Sequence, residues 1–193
     1  MAKILGNFHL ALLIGILLLI AAMVGLTQGE MDKGYWLQFL RYLHIWAGIL
    51  WIGLLYYFNF VQIPTMPKVP AELKPGVTKY IAPAALFWFR YAALLTVILG
   101  LLIIEMMEPG RAGRALALKE PVRTIGIGMW LGLIMAANVW FVIWPNQKKA
   151  LGIVVVDDAS KFKAGGMAMM ASRTNLILSF PMLYCMVAAA HIG

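Results

Sequence analysis

The chain has 193 residues, 63% of them hydrophobic and only 12% charged, with a mean hydropathy of +0.84 and a formal net charge of +8. That composition excludes a soluble domain wrapped in polar surface and indicates an integral membrane protein. Lysine and arginine form no stripe interleaved with aromatics, which excludes nucleic acid as a partner; the basic excess suits anionic lipid headgroups.

Five apolar runs approach the roughly 20 residues that a crossing helix needs. They are Phe8 to Leu26, Trp36 to Phe60, Ala84 to Ile104, Ile125 to Trp144 and Leu176 to His191. None alternates with a two-residue period, so a barrel is excluded. The predicted fold class is all-α, an integral membrane helical bundle forming a single membrane domain over residues 1–193. The first run follows Lys3 but is too long for a signal-peptide core, and it is read as a membrane helix.

The second run carries His44 inside a segment otherwise apolar enough for hydrocarbon. An imidazole there needs a partner, because leaving it unpaired costs several kcal/mol. Ala47 and Gly48 lie one turn away on its face, Trp51 a further turn along, and Arg41 one turn outward. Two readings are open. A haem macrocycle approaches this small-residue surface with His44 as axial ligand and Arg41 neutralising a propionate. Alternatively, the small residues let a neighbouring helix pack closely, and His44 hydrogen-bonds across to it.

From Ile63 to Pro83 the chain holds Pro64, Pro67, Pro70, Pro75 and Pro83, and the expectation is an extended surface segment rather than a continuous helix. In the third run Arg90 lies close enough to the interface to snorkel. Glu108 to Arg123 is a short charged loop with a Pro109-Gly110 turn. Asn138 in the fourth run and Asn175 at the start of the fifth read as glue between helices. The long linker from Pro145 to Thr174 contains Asp157-Asp158, suited to capping a short helix through Arg173. Its Met167, Met169 and Met170 read as apolar filler, without metal-site spacing. The single cysteine, Cys185, excludes an internal disulfide and a two-cysteine haem attachment.

Nine lysines and arginines fall on the N-terminal side of the spans and five on the other, which predicts a cytoplasmic N-terminus and an external C-terminus in a bacterial inner membrane. His44 and His191 then share the outer leaflet, the arrangement a six-coordinate haem b requires, whereas His9 lies near the opposite end of its helix.

Four blocks carry a family resemblance: Leu43-His-Ile-Trp-Ala-Gly-Ile-Leu-Trp-Ile-Gly53, Phe87-Trp-Phe-Arg-Tyr-Ala92 continuing to Thr96 and Gly100, Asn138-Val-Trp-Phe-Val-Ile-Trp-Pro-Asn-Gln147, and Ser172-Arg-Thr-Asn175 leading through Pro181 to His191. In order and spacing they resemble the N-terminal membrane domain of membrane-bound, cytochrome-c-linked urate oxidases. The first block also resembles the histidine helix of the membrane haem-binding protoporphyrinogen oxidases. The resemblance implies a redox role, with His44 and His191 at the positions of family histidines. Two departures stand out: no Cys-x-x-Cys-His is present, and Thr174 stands where a histidine often follows Ser-Arg. The expectation is a small haem-b subunit passing electrons between a quinol or partner dehydrogenase and an external cytochrome c. A haem-free accessory subunit of a larger membrane complex and an oxidase of urate or a porphyrin precursor are the alternatives.

Overall fold

Five helices are long and apolar enough to cross a membrane in the computed structural model, which describes residues 2–26 and 31–191. They are α1 (Phe8–Leu26), α2 (Lys33–Lys68), α3 (Lys74–Met107), α4 (Arg123–Ala150) and α5 (Asp158–His191). The all-α class and the membrane-spanning character expected from composition are both present. The chain divides into two compact units, Met1–Gln38 and Phe39–Gly193.

In the first unit a helical turn, Ala2–Leu5, precedes α1. Asn7 starts α1 by accepting the Leu10 N–H through Oδ1 at 3.2 Å. Asp32 does the same for α2, accepting the Tyr35 N–H at 2.9 Å. Asn and Asp suit these places because a short polar side chain reaches a backbone donor that the first turn leaves unpaired.

In the second unit α5 packs along α4, α3 packs against α4, and α2 meets α5 through Tyr57–Gln62. Small residues explain the closest contact. Ala164, Ala168, Ala171, Ser172, Asn175, Ser179 and Met182 are buried at three- and four-residue spacing along α5. On α4, Gly128 faces α5 so closely that a Cβ there would lie 3.0 Å from the Cys185 Cβ. The core gathers Trp51, Leu55 and Phe58 from α2, Leu86 and Phe89 from α3, Met135 and Val139 from α4, and Met182 from α5.

The proline-rich stretch after residue 63 corrects the sequence expectation. Helix α2 runs through Pro64 to Lys68, and α3 begins at Lys74 rather than near Ala84. The same holds at Pro145, where α4 continues to Ala150, and α5 is one 34-residue helix rather than a short cap helix followed by a span. Prolines are absorbed by widening the turn ahead of them. Tyr57–Gln62, Val77–Ile81 and Val139–Ile143 are π-helical, and each ends two residues before a proline, at Pro64, Pro83 and Pro145. A proline has no N–H to give the carbonyl four residues back, and its ring collides with that carbonyl. Those carbonyls belong to Phe60, Lys79 and Phe141, all inside the widened turns. The residue just before each proline donates five residues back instead: Ile63 to Phe58, Ala82 to Val77 and Trp144 to Val139.

Between α3 and α4, a short helix at Arg111–Leu116 follows Gly110, whose φ of 76° is a left-handed conformation that glycine adopts at little cost. Glu108 pairs with Arg114 at 2.6 Å and with Arg111 at 3.6 Å. These pairs fix a solvent-facing loop.

Candidate functional site

His44 reaches across from α2 to α3. Its Nδ1 lies 2.9 Å from the Thr96 carbonyl oxygen, and because a carbonyl only accepts, Nδ1 carries the proton and donates. The ring then packs over Gly100, where an added Cβ would stand 3.0 Å from Cε1 and 4.0 Å from Nε2. This is the helix-to-helix bond that the second reading of the sequence anticipated. In the neutral imidazole the remaining lone pair is on Nε2.

His191 is engaged differently. Its Nδ1 donates to the Val187 carbonyl of its own helix at 2.9 Å, and the residue is exposed. Arg41 places Nη2 3.5 Å from the Met107 sulfur and is exposed. Trp51 is 1% exposed in the core, and its indole N–H has no hydrogen-bond partner among the described residues. Each of the four sequence candidates thus makes its contacts separately: His44 and Arg41 touch α3, Trp51 packs in the core, and His191 bonds to its own helix. Among the described residues, no group of three or more His, Cys, Asp or Glu side chains converges to hold a metal ion.

What converges instead is an amide and hydroxyl seam between α2, α4 and α5. Asn138 donates both amide hydrogens, to the Ala171 carbonyl and to Asn175 Oδ1, each at 2.8 Å. Asn175 is fully buried and returns a hydrogen bond to the Met135 carbonyl at 3.0 Å. Asn59 donates to the Leu55 carbonyl and to Ser172 Oγ, each at 2.9 Å. Ser179 gives its one proton to the Leu176 carbonyl at 2.7 Å, so the 3.2 Å contact with Tyr56 is a tyrosine hydroxyl donating to Ser179. Burying such groups is tolerable only because they are paired. Asn59 Oδ1 and Gln62 Oε1 are exceptions, being buried with no partner among the described residues.

Arg90 sits in a cage of rings. Its guanidinium carbon lies 3.8 Å from the Trp144 ring centroid, 5.1 Å from that of Tyr91 and 5.4 Å from that of Phe87. Lys148 approaches the same Trp144 ring at 5.8 Å. Nothing in the sequence pointed to Trp144 as the anchor of a cation.

At the lysine-rich end of these helices a cleft of about 420 Å³ opens between α2, α3, α4 and α5. Phe58, Leu86, Phe89 and Ile143 form its apolar wall, and Gln62, Lys74, Gln147 and Ser172 supply its polar groups. Two of the π-helical turns, Tyr57–Gln62 and Val139–Ile143, contribute to the lining. Sequence reading missed this cleft. The available signal was the pair of glutamines, each two residues from the proline of its helix.

Comparison with known proteins bears on the second half of this arrangement. Residues 119–193 match the family model described as "Urate oxidase N-terminal". The chain is similar to that family there. The matched stretch covers less than half of the chain, and it contains both asparagines of the central pair, Asn138 and Asn175, as well as His191. The His44 and Arg90 blocks lie outside it, and the match carries nothing specific to cytochrome-c-linked members. No curated protein and no solved structure matches.

Proposed function

We propose that the chain is an accessory subunit of a larger membrane assembly, a bundle of the urate oxidase N-terminal kind that stabilises its partners without a haem of its own. The observation behind this reading is that His44, the histidine inside the apolar part of α2, is held as a fastener between helices, beside a seam of asparagines that does the same. His44 donates to Thr96 of α3, and the Asn138–Asn175 pair ties α4 to α5. Asn59 ties α2 to Ser172 of α5. The reading includes a cytoplasmic N-terminus and an inner-membrane location in a bacterium, on the lysine and arginine bias.

The test is a reduced-minus-oxidised visible spectrum of the purified protein with iron quantified per chain, alongside crosslinking in native membranes. The expected result is substoichiometric iron, no haem bands, and a reproducible crosslinked membrane partner. A reporter fused after Gly193 is expected to label from outside the cytoplasm.

A second reading is favoured by one feature. His44 and His191 both have Nδ1 committed to a backbone carbonyl, which leaves Nε2 as the lone-pair nitrogen on each ring. That tautomer suits axial ligation of a b-type haem, which would supply one-electron chemistry between a quinol and an external cytochrome. In this reading His44 and His191 hold the iron and Arg41 balances a propionate. Haem bands that disappear in His44→Ala, with His9→Ala unaffected, would replace the accessory reading by this one.

A further inference from the structure

The cleft at the lysine-rich end has the chemistry of a lipid-headgroup site. Four helices border it, and its polar groups have little to do within the protein. Lys74 is half-buried and forms no ion pair among the described residues. Gln62 lines the cleft, and its Oε1 is buried without a partner among the described residues. Ser172 accepts the Asn59 amide hydrogen, which leaves its own O–H free to donate. Gln147 adds a second amide from α4.

One cation, two amides and a hydroxyl above an apolar wall fit an anionic head that also carries hydroxyl donors and is attached to an apolar body. Lys74 supplies charge, the amide N–H groups and Ser172 supply donors to phosphate oxygens, and Gln62 Oε1 is an acceptor for a ligand O–H. Phe58, Leu86, Phe89 and Ile143 are positioned for the first methylenes below the head.

Depth favours the bilayer as the source. A 34-residue helix such as α3 is about 51 Å long, against roughly 30 Å of hydrocarbon, so these helices project well past the acyl chains. The cleft lies where the apolar runs give way to Lys68, Lys74, Lys148 and Lys149, which is headgroup territory with a basic field around it.

We infer that this cleft binds the head of an anionic, hydroxyl-bearing phospholipid, with phosphoglycerol as the matching chemistry. The inference stands apart from the question of haem or complex membership.

The experiment is native mass spectrometry of the full chain, delipidated in detergent and titrated with dioleoyl-phosphatidylglycerol or dioleoyl-phosphatidylcholine. One phosphatidylglycerol adduct is expected to form ahead of any phosphatidylcholine adduct. Lys74→Gln should weaken it about fivefold, the contribution of one basic group near a lipid surface. Lys74→Arg should restore it, and Lys119→Gln, in the loop at the other end, should leave it unchanged. Equal affinity for the two lipids would overturn the inference. So would a Lys74→Gln protein that melts like the parent and binds phosphatidylglycerol as well as the parent does. Competition by free sn-glycerol 3-phosphate at concentrations equal to the lipid would assign the site to a soluble phosphate ester and sink the lipid assignment.

Discussion

Gly100 of α3 lies directly beneath the imidazole of His44 on α2, close enough that a single added methyl would stand 3.0 Å from Cε1. The ring has little freedom to yield, because its Nδ1 is held 2.9 Å from the Thr96 carbonyl one turn earlier on the same helix. Gly100→Ala is therefore expected to stretch that bond and destabilise the α2–α3 contact by about 1–3 kcal/mol, the usual cost of overpacking. Gly132→Ala is the control, since a Cβ there meets nothing within 4 Å. Denaturant unfolding of both variants in detergent checks the contrast, and an equal midpoint for the two would remove the constraint assigned to Gly100.

The Asn138–Asn175 pair makes a quantitative prediction. Asn175→Ala removes the acceptor of one Asn138 hydrogen and also the donor to the Met135 carbonyl. Hydrogen bonds between membrane helices average about 0.6 kcal/mol and reach about 1.7. The single variant should lose about 1–2 kcal/mol, and a double-mutant cycle with Asn138→Ala should show coupling of about 0.5–1.5 kcal/mol. Additive losses would mean that the two amides act independently.

Arg90 should behave as a cation held by rings. With its guanidinium 3.8 Å from the Trp144 centroid, Arg90→Gln is expected to cost about 1–2 kcal/mol of stability. In the Trp144→Leu background the same substitution should cost clearly less. Thermal unfolding of the four proteins checks this, and an undiminished cost in the double variant would show that Trp144 is not the partner that matters.

The start of α5 should respond to acid. The Asp157 carboxylate accepts the Ser160 N–H at 2.9 Å. Hydrogen bonds from Ser160, side chain first and then backbone, hold its pKa below the usual value of 3.8. A carboxyl lowered on folding stabilises fully above its unfolded pKa and loses that contribution as pH falls through the folded one. Hydrogen exchange at Ser160 and Lys161 should therefore stay protected down to about pH 4 and loosen below it. Asp157→Asn should flatten this pH dependence, since an amide still accepts the bond but does not titrate. An unchanged acid response in Asp157→Asn would place its origin elsewhere.

The five spans were legible because a run of some 20 apolar residues has few other fates. Asn138 and Asn175 were legible as glue for a related reason: an amide in an apolar helix must find a partner, and the nearest one is on the next helix. The helical path through Pro64 and Pro145 was not, because a proline's conflict with the preceding turn has two resolutions, ending the helix or widening it. Packing against the neighbouring helices decides between them. His44's partner was equally out of reach, since Thr96 lies 52 residues away and offers a backbone atom, which no side-chain pattern reveals. The cleft draws polar groups from α2, α3, α4 and α5, and no local spacing encodes such a meeting.

Each widened turn has a geometric after-effect. An α-helix advances by about 100° per residue, so accommodating one extra residue in a turn rotates everything beyond it by roughly that angle. In α2, α3 and α4 the side chains on one side of the π segment are therefore out of phase with those on the other. A heptad ruler laid through Trp51 and extended to Lys68 would misassign the facing residues, as would one carried from Met135 to Lys148. Deleting a single residue within Val139–Ile143 should therefore damage α4 twice over, bringing the Pro145 ring back against the carbonyl four residues earlier and swinging Gln147 out of the cleft, while the part of α4 before the turn keeps its register.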